Sequence, residues 1–453
     1  MNPNTARYLA LQLLIAMEDR RFTLDRILED RQASMDTLDP RDRALVQAIV
    51  YGVLRWRSRL DAVIDACLSS PGRRIDPVIR NILRMGIFQL SALDRIPPSA
   101  AVHSAVELAR ASGKKQLAGF VNAVLRQAQR RGVDELLRPP SEDPAAALAL
   151  EHAIPRWMAD RWLARYGNEE ASAFCRGINT VAPLVGRVNT LKTTREAVMA
   201  ALTADGACTA PTTVSPDGLV ITGLTGPIAK MPAVAQGHLR IQDEGAQLVT
   251  FLLAPKPGET VLDACAGRGG KTGHLAQLME NQGRLLAVDS DVRRLSALAA
   301  DMLQLGISCV DTLRLDLNHP VPPGTMSAFD RILLDAPCSG MGVIRRNPDT
   351  KWTRQPSDLT RYGDRQRRFL SHLAPLVKPS GVLVYAVCSL EAEETTVVVT
   401  DFLSRHSAFS LCPPPSSLDL HSRGLVDADG CFRSTPHRHG MDGFFAATFR
   451  RNP

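Results

Sequence analysis

The chain has 453 residues, enough for about three domains that each bury a core of their own. Hydrophobic residues make up 45% of it and charged residues 22%, a composition that excludes a disordered or collagen-like protein. No apolar run approaches the roughly 18 residues that cross a membrane. The formal net charge of +7 favours a polyanionic partner without identifying it.

The N-terminal stretch and the cysteines both indicate a reducing compartment. Apolar residues near the start are interrupted by Gln12 and followed by charges, with no small-residue cleavage site, so we expect a cytoplasmic protein without a signal peptide. The nine cysteines include no C-x-x-C pair and no Cys/His spacing that holds zinc. We therefore expect reduced thiols and no metal.

Residues 5 to about 131 have the apolar spacing of consecutive helices, as in Ala6, Leu9 and Leu13. Turn-forming runs divide this stretch into six or seven helices: Asp39-Pro40, Ser70-Pro71-Gly72, Pro97-Pro98 and Ser112-Gly113. The pattern predicts an all-α domain over residues 1–138. This predicted domain contains 22 lysines and arginines against 15 aspartates and glutamates, and the rest of the chain is balanced. The whole net charge therefore belongs to it.

The region that follows is less regular. Pro139, Pro140 and Pro144, with polar residues between them, predict a stiff linker. Residues 139–236 as a whole combine a helical start with short strand-like pieces at 183–188 and 219–221. They predict a small α+β connecting domain.

Residues 237–453 show β-rich runs that alternate with helical ones. Such alternation predicts a parallel, doubly wound α/β sheet. The predicted strands are 260–264, 285–288, 312–315, 331–334 and 382–387.

A glycine-rich turn follows the first of these strands, in the run Asp263-Ala-Cys-Ala-Gly-Arg-Gly-Gly-Lys271. Such a turn lets backbone N–H groups approach a ligand at the start of a helix. A P-loop would need glycine at position 265, which is Cys265, and a dinucleotide fingerprint would need it at position 272, which is Thr272. Taken alone, the turn also fits a plain strand-to-helix corner.

Aspartates at the ends of the next strands strengthen the case for a ligand. Asp289 ends the second strand, twenty residues after Gly269, where a carboxylate can accept hydrogen bonds from both hydroxyls of a ribose. Asp316 closes the third predicted strand, where an adenine amino group can be recognised. One such aspartate is more often a helix cap. The series beside the glycine turn predicts a crevice for an adenosine-containing cofactor.

Two cysteines follow the fourth and fifth predicted strands. Cys338 stands in the run Asp335-Ala-Pro-Cys-Ser-Gly340, and Cys388 stands in the run Cys388-Ser-Leu390. Each cysteine taken singly could be a buried strand-end residue. Two thiols and the Asp335 carboxylate on one rim predict a nucleophile with acid/base partners rather than a disulfide.

These motifs resemble the RsmB/Fmu/Sun family of S-adenosylmethionine-dependent ribosomal RNA cytosine-C5 methyltransferases. The helical region is similar to the NusB-type RNA-binding domain of that family, so that the resemblance covers nearly the whole chain. The matching runs are 263–271, 335–346, 348–352, 385–390 and 440–445, and in the helical region 95–98 and 121–126. The chain departs from the family pattern at Gly267-Arg268, where the family usually has Ala-Pro.

The resemblance implies a NusB-like domain at 1–138, a linker with a connecting or RNA-binding subdomain at 139–236, and a Rossmann-like class I methyltransferase domain at 237–453. It implies that Cys388 attacks carbon 6 of cytosine, that Cys338 assists proton removal and release, and that Asp335 holds the ring-nitrogen proton. Lys271 then positions substrate or cofactor, unless it is a solvated side chain. The implied cofactor is S-adenosyl-L-methionine, and its predicted binding residues are Cys265, Ala266, Gly267, Arg268, Gly269, Gly270, Lys271, Asp289, Arg294, Asp316 and Asp335.

The implied reaction is methylation of a cytosine in 16S ribosomal RNA, unassembled or partly assembled, by a monomer that uses no metal and no membrane. Two alternatives stay open. One is a NusB-like RNA-binding assembly or transcription factor with an inactive methyltransferase domain, and the other is cytosine-5 methylation of another RNA. The presence of Asp289, Asp335, Cys338 and Cys388 favours the enzyme.

Overall fold

The computed structural model describes residues 6–453 except 20, 69–73, 138–141, 225, 227, 323, 416 and 417. The predicted turn at Ser70-Pro71-Gly72 and the first two prolines of the predicted linker lie outside the described residues. The chain forms two compact units. The helical unit comprises Met1–Thr180 and Ile344–Arg354, and the sheet unit comprises Val181–Val343 and Gln355–Pro453.

The first part of the helical unit is all α, as predicted. Its helices among the described residues are α1 (Ala6–Ala16), α2 (Leu24–Asp30), α3 (Gln32–Asp36), α4 (Pro40–Ala66), α5 (Pro77–Ala92), α6 (Pro98–Ala111), α7 (Ala118–Arg131), α8 (Pro144–Glu151) and α9 (Arg156–Asn179). Helices α4, α5 and α6 each begin at a proline, which fits the first turn because no N–H is needed there. Ile49, Ile82 and Leu125 are fully buried in the core that these helices share.

The sheet unit begins with a small antiparallel sheet. Its strands are β1 (Leu184–Val188), β2 (Cys208–Pro211), β3 (Gly218–Thr222) and β4 (Leu239–Ile241), in the order β2-β3-β1-β4. Two helices accompany it, α10 (Arg195–Ala204) and α11 (Pro232–Ala235). Val188, Leu202 and Leu219 form its core. The α+β character predicted for this region is confirmed, and the predicted strand pieces coincide with β1 and β3.

The rest of the sheet unit is built on a larger sheet with helices on both faces. Its strands are β5 (Thr260–Asp263), β6 (Arg284–Asp289), β7 (Val310–Arg314), β8 (Phe329–Asp335), β9 (Val377–Val387), β10 (Phe409–Cys412), β11 (Phe432–Arg433) and β12 (Phe445–Arg451). The remaining helices of the chain are α12 (Glu244–Leu253), α13 (Gly270–Leu278), α14 (Val292–Leu305), α15 (Thr350–Thr353), α16 (Pro356–Leu373), α17 (Thr396–Arg405) and α18 (Pro436–His439).

The strand order of the larger sheet is β10-β12-β9-β8-β5-β6-β7, with β11 paired to β12. Strands β5 to β9 pair in parallel, which confirms the doubly wound prediction. Strands β10, β11 and β12 pair antiparallel, a feature that the sequence did not predict. The chain passes from β5 to β6 on one side and returns to β8 on the other. The topological switch point, where such sheets bind ligands, therefore lies between β5 and β8.

Both faces of the parallel strands are buried, because side chains alternate between two apolar cores. Val261, Leu285 and Val384 lie in the core that contains residues of α12 and α13. Leu262 and Leu383 lie in the core that contains residues of α16 and α17. This double burial fixes the strand ends and the turns that follow them.

The segment 344–354 belongs to the helical unit, although it follows the Cys338 motif in the chain. Its Lys351 side chain is fully buried. The acceptors of the three Nζ hydrogen bonds are Arg55 O at 2.9 Å, Ala153 O at 3.1 Å and Asn179 Oδ1 at 2.6 Å. Trp352 Nε1 donates to Leu54 O at 2.6 Å. The motif at 348–352 is thus part of the interior of the helical unit.

All nine cysteines are free thiols. No helix within the described ranges is long and apolar enough to cross a membrane. Over the same ranges, no group of three or more histidine, cysteine, aspartate or glutamate residues is arranged to hold a metal ion.

The pH dependence of stability tests the burial of Lys351. Burial, and then repulsion from Arg55, lowers the pKa of Lys351 from 10.5 to about 7, so the folded protein releases a proton that the unfolded chain still holds. Stability should therefore rise as the pH increases above 7. Between pH 7 and pH 9 we expect urea unfolding to show a gain of about 2 kcal/mol in wild type relative to Lys351→Met. Equal pH slopes for the two proteins would contradict this.

Candidate active site

A cavity of about 530 Å³ opens at the carboxyl ends of the parallel strands, within the sheet unit. Its walls come from the turns after β5, β6, β8 and β9, from the residues that follow β7, and from α16. The predicted site residues that line it are Cys265, Gly267, Asp289, Arg294, Asp316, Asp335, Cys338 and Cys388. The other predicted cofactor residues do not line it but complete the glycine turn; they are Ala266, Arg268, Gly269, Gly270 and Lys271.

Backbone hydrogen bonds hold the glycine turn in place. Ala266 N–H donates to Val288 O at 2.8 Å, and Gly269 N–H donates to Ala266 O at 2.9 Å. Gly269 has a φ of +83°, and a Cβ there would lie 2.6 Å from Cγ of Leu298, so only glycine fits. A Cβ on Gly267 would meet no atom within 4 Å. The backbone of this turn is therefore open on the side of the cavity.

Asp289 ends β6, as predicted, and supports the turn. Its Oδ2 accepts the N–H of Gly267 at 3.0 Å, and its Oδ1 accepts the N–H of Asp291 at 2.8 Å. Arg294 lies 3.9 Å from Oδ2, and the Asp289 side chain is only 8% exposed. Each carboxylate oxygen has a further lone pair, so both can still accept a hydrogen bond from a ligand hydroxyl.

Asp316 lies two residues beyond β7, so the prediction that it closes the third strand is wrong. Strand β7 pairs with β6, and the pairing stops where Asp289 at the end of β6 meets Arg314. The Asp316 carboxylate accepts hydrogen bonds from the backbone and side chain of Asn318, at 3.0 Å and 2.8 Å, which lower its pKa. It still lines the cavity.

The two predicted cysteines meet at the cavity, although 50 residues separate them in the chain. Their Sγ atoms are 3.2 Å apart, and both thiols are partly exposed. The hydrogen bond between them, together with burial, raises the pKa of Cys338 well above its usual value. The thiol of Cys338 therefore keeps its proton and lies next to the sulfur of Cys388.

Lys271 is buried beside these thiols rather than solvated. Its Nζ donates to Oδ2 of Asp335 at 2.6 Å, and its side chain is 12% exposed. Burial disfavours the ammonium ion, but the Asp335 carboxylate outweighs this effect and raises the pKa of Lys271. The ammonium also interacts electrostatically with Cys388 and lies 5.2 Å from the ring centroid of Phe444. The ammonium is therefore held by Asp335, within the range of electrostatic interaction with Cys388.

Sequence reasoning missed two contributions to the site. Tyr362, Arg365 and Phe369, on one face of α16, line the cavity, and the Arg365 guanidinium lies 5.1 Å from the ring centroid of Phe369. Their helical spacing is visible in the sequence, but no motif marks it. The second contribution is Glu394, fully buried next to Ser339 and Ser389, the residues that follow the two cysteines.

The sheet and the cavity define a Rossmann-like methyltransferase domain: parallel strands with a ligand crevice at the switch point, a glycine turn, and an antiparallel strand beyond β9. Protein-family models agree with this class. The NusB family matches residues 4–130, the ferredoxin-like domain of RsmF/B-like methyltransferases matches residues 154–226, and the 16S rRNA methyltransferase RsmB/F family matches residues 250–450.

Whole-chain relatives carry the comparison further. The chain is 35% identical to the probable ribosomal RNA small subunit methyltransferase B of Bacillus subtilis, over 100% of each protein. It is 34% identical to the ribosomal RNA small subunit methyltransferase B of Pseudomonas putida, over 99% of this chain and 98% of that protein. The crystal structure of PH0851 is 27% identical, with a TM-score of 0.81, over 100% of this chain and 99% of that one. The chain belongs to the RsmB/F family of 16S rRNA methyltransferases, which confirms the predicted family and fold class.

Two neighbouring glycines give a matched test of the turn. Gly269→Ala should lower the free energy of unfolding by about 2–4 kcal/mol, because alanine is strained at positive φ and its Cβ would collide with Leu298. Gly270→Ala should change it by less than about 1 kcal/mol, since a Cβ there meets nothing within 4 Å. Urea unfolding of both variants measures the difference. Losses of the same size would contradict the geometry of the turn.

Proposed function

We propose that the protein transfers a methyl group from S-adenosyl-L-methionine to carbon 5 of a cytosine in 16S ribosomal RNA, through a covalent adduct with Cys388. One observation carries the proposal: the thiols of Cys338 and Cys388 lie 3.2 Å apart at the cavity, which Asp335 also lines. Carbon 5 of cytosine is a poor nucleophile, so its methylation requires prior activation of the ring. A nucleophilic thiol with a second thiol and a carboxylate beside it supplies that activation.

Cys388 is the nucleophile in this proposal. Its thiolate forms a bond to carbon 6 of the base, and the electron pair of the C5–C6 double bond becomes available at carbon 5 to form a bond to the methyl group. The electron pair of the sulfur–methyl bond would stay on sulfur, and S-adenosylhomocysteine would leave. Two groups neighbour the Cys388 sulfur. They are the Lys271 ammonium, which interacts with it electrostatically, and the thiol of Cys338, which can donate a hydrogen bond to it.

Asp335 and Cys338 serve the other steps. Lys271 holds Oδ2 of Asp335, while Oδ1 makes no hydrogen bond within the described part of the chain. We assign Oδ1 to ring nitrogen 3, which takes up a proton from solvent as the thiolate adds to carbon 6 and returns it when the double bond re-forms; Oδ1 accepts a hydrogen bond from this N–H while it is present. Cys338 assists removal of the carbon 5 proton as a thiolate, after its own proton has passed to solvent. The released electron pair restores the double bond and expels the Cys388 thiolate.

S-adenosylmethionine fits the part of the cavity next to the glycine turn, and it would supply the electrophilic methyl group. Asp289 would accept hydrogen bonds from the ribose hydroxyls, and Asp316 would accept a hydrogen bond from the adenine amino group. The exposed backbone at Gly267, where a Cβ would meet no atom, leaves room for the methionine part of the molecule. Cys265 and Arg294 line the same wall. The cavity volume of about 530 Å³ is in the range of small-molecule sites.

The next part of the proposal concerns RNA binding and the division of the chain into domains. We propose residues 1–138 as a NusB-like RNA-binding domain, residues 139–236 as a linker and connecting subdomain, and residues 237–453 as the methyltransferase domain. The excess of basic residues in the first of these supports phosphate contacts, which supply affinity, while the neutral remainder supplies the base pocket.

Separate replacement of the two cysteines tests their roles. Cys388→Ala should abolish both methylation and the protein–RNA adduct. Cys338→Ala should still form the adduct but accumulate it, because release is impaired. Denaturing gels of protein incubated with 16S RNA and S-adenosylmethionine detect the adduct, and bisulfite sequencing detects 5-methylcytosine. Cys208→Ala, which changes an exposed thiol on β2, is the control and should behave as wild type.

Other outcomes would change the assignment. If the adduct disappears in Cys338→Ala and persists in Cys388→Ala, the roles of the two thiols are reversed. If titration calorimetry shows no binding of S-adenosylmethionine to the wild-type protein at millimolar concentration, the protein is an RNA-binding assembly or transcription factor instead. If 5-methylcytosine forms only in another RNA, the substrate is wrong while the chemistry stands.

The salt dependence of RNA binding tests the basic helical domain. Arg126, Arg130 and Arg131 are exposed on α7. Replacing all three with glutamine should flatten the slope of log K against log salt by about 0.7–0.9 for each phosphate that the domain no longer neutralises. Binding of S-adenosylmethionine should not change. Arg405→Gln on α17 removes an arginine whose side chain is 68% exposed and serves as the control. Fluorescence anisotropy with a 16S RNA fragment measures the slopes, and identical slopes would contradict the prediction.

A further inference from the structure

Each of the two cysteines is followed by a serine, and both serines are fully buried. Ser339 and Ser389 make hydrogen bonds to the same carboxylate, that of Glu394. Oε2 of Glu394 accepts from Oγ of Ser339 at 2.5 Å and from Oγ of Ser389 at 2.6 Å. Oε1 accepts from the N–H of Ser339 at 2.8 Å and from Nε2 of Gln366 at 3.1 Å. One side chain therefore joins the turns that present both thiols.

The surroundings of Glu394 make this junction rigid. Glu394 itself is fully buried. Its backbone oxygen accepts from the Tyr385 hydroxyl at 2.6 Å, which ties it to β9. Gln366 on α16 donates from the same Nε2 to the Pro337 oxygen at 3.0 Å, one residue before Cys338. The carboxylate thus lies at the centre of a closed polar network under the two cysteine turns.

An ionised carboxylate matches this network better than any other side chain. It has about four lone-pair positions and no proton to donate, and four donors point at it here. Burial raises the pKa of Glu394, and the hydrogen bonds from Ser339, Ser389 and Gln366, which lower it, offset only part of this effect. The four donors therefore reduce the cost of burying the charged form.

We propose that Glu394 is a positioning residue that sets the separation and orientation of the Cys338 and Cys388 thiols through Ser339 and Ser389. The inference rests on the proposed function, in which both thiols act on one base. A displacement of about 1 Å in reacting groups can cost on the order of a hundredfold in rate. The turns after β8 and β9 are joined by backbone hydrogen bonds, by a direct contact of 3.2 Å between the Ser339 and Ser389 hydroxyls, and by the Ser–Glu–Ser hydrogen bonds. Loss of the carboxylate leaves the weaker direct contact between the serines, so the two sulfurs should move relative to each other.

Two variants separate positioning from simple support of the fold. In Glu394→Gln, the amide oxygen can still accept the two N–H groups, and the amide nitrogen can donate to the two serine oxygens, because hydroxyls act as acceptors as well as donors. Its kcat should stay within about tenfold of wild type. In Glu394→Ala, all four hydrogen bonds are removed, and kcat should fall by about a hundredfold. In both variants, the KM for RNA and the Kd for S-adenosylmethionine should stay within about threefold of wild type.

A buried glutamate elsewhere in the sheet unit provides the matched control. Glu244 is 6% exposed and accepts from the N–H of Val214 at 2.6 Å, the N–H of Ser215 at 2.9 Å and the hydroxyl of Thr213 at 3.3 Å. These hydrogen bonds involve neither of the cysteine turns. Glu244→Ala should therefore lower the thermal midpoint about as much as Glu394→Ala, with kcat unchanged at a temperature where both are folded.

The outcomes divide clearly. A hundredfold loss of kcat in Glu394→Ala with partial rescue in Glu394→Gln supports the proposal. Equal kcat for Glu394→Ala and Glu244→Ala overturns it, and so does a loss that appears entirely in KM or in cofactor binding. The proposed function fails separately, if Cys388→Ala retains methylation. A dead Cys388→Ala with a fully active Glu394→Ala would refute the positioning role alone.

Discussion

The parallel pairing of β5 to β9 is the constraint on which the rest of the site depends. Parallel strands end on one edge of a sheet, so the residues that follow them converge, however far apart they are in the chain. That rule alone brings the glycine turn, Asp289, Asp335, Cys338 and Cys388 to one cavity. Burial of both faces of the strands then holds these turns in register. The proposed reacting groups lie in turns, but the packing of the core on both faces of the sheet fixes their positions.

Several polar and charged side chains under and around the cavity are held by ion pairs and hydrogen bonds. Lys271 faces Asp335, Thr272 donates to Asp263, and Glu394 collects four donors. An unpaired charge at these depths would cost several kcal/mol. Burial raises the pKa of Asp263 to about 7, which shows how strongly the interior acts on a carboxylate that has one hydroxyl as its partner. These ion pairs and hydrogen bonds restrict the movement of the side chains that they join. A mechanism in which two thiols act on one base needs such fixed positions.

The sequence predicted those features that local patterns or the geometry of parallel sheets determine. Such features are the breaks between helices at Asp39-Pro40 and Pro97-Pro98, the strands that lead to the cavity and the meeting of Cys338 with Cys388. All of them follow from spacing and connectivity. Features that depend on pairing between distant side chains could not be predicted. The Lys271–Asp335 ion pair spans 64 residues and leaves no pattern in the chain. Strands β10 and β11 were missed because they are short, with four and two residues, and β12 was missed although it has seven. The place of β12 depends on its antiparallel pairing with β9, and the end of β7 was misplaced because it depends on where β6 stops.

The segment 344–354 gives the helical unit two separate stretches of chain. A polypeptide cut near residue 180 would therefore not yield two self-sufficient parts. The larger part would keep Lys351 and Trp352, while the carbonyl acceptors at Leu54 and Arg55 would remain on the smaller one. Exchange of the helical unit between proteins would need three junctions, at 180/181, 343/344 and 354/355, the second of them close in sequence to the Cys338 turn. Such an arrangement favours inheritance of the two units together, as a single module.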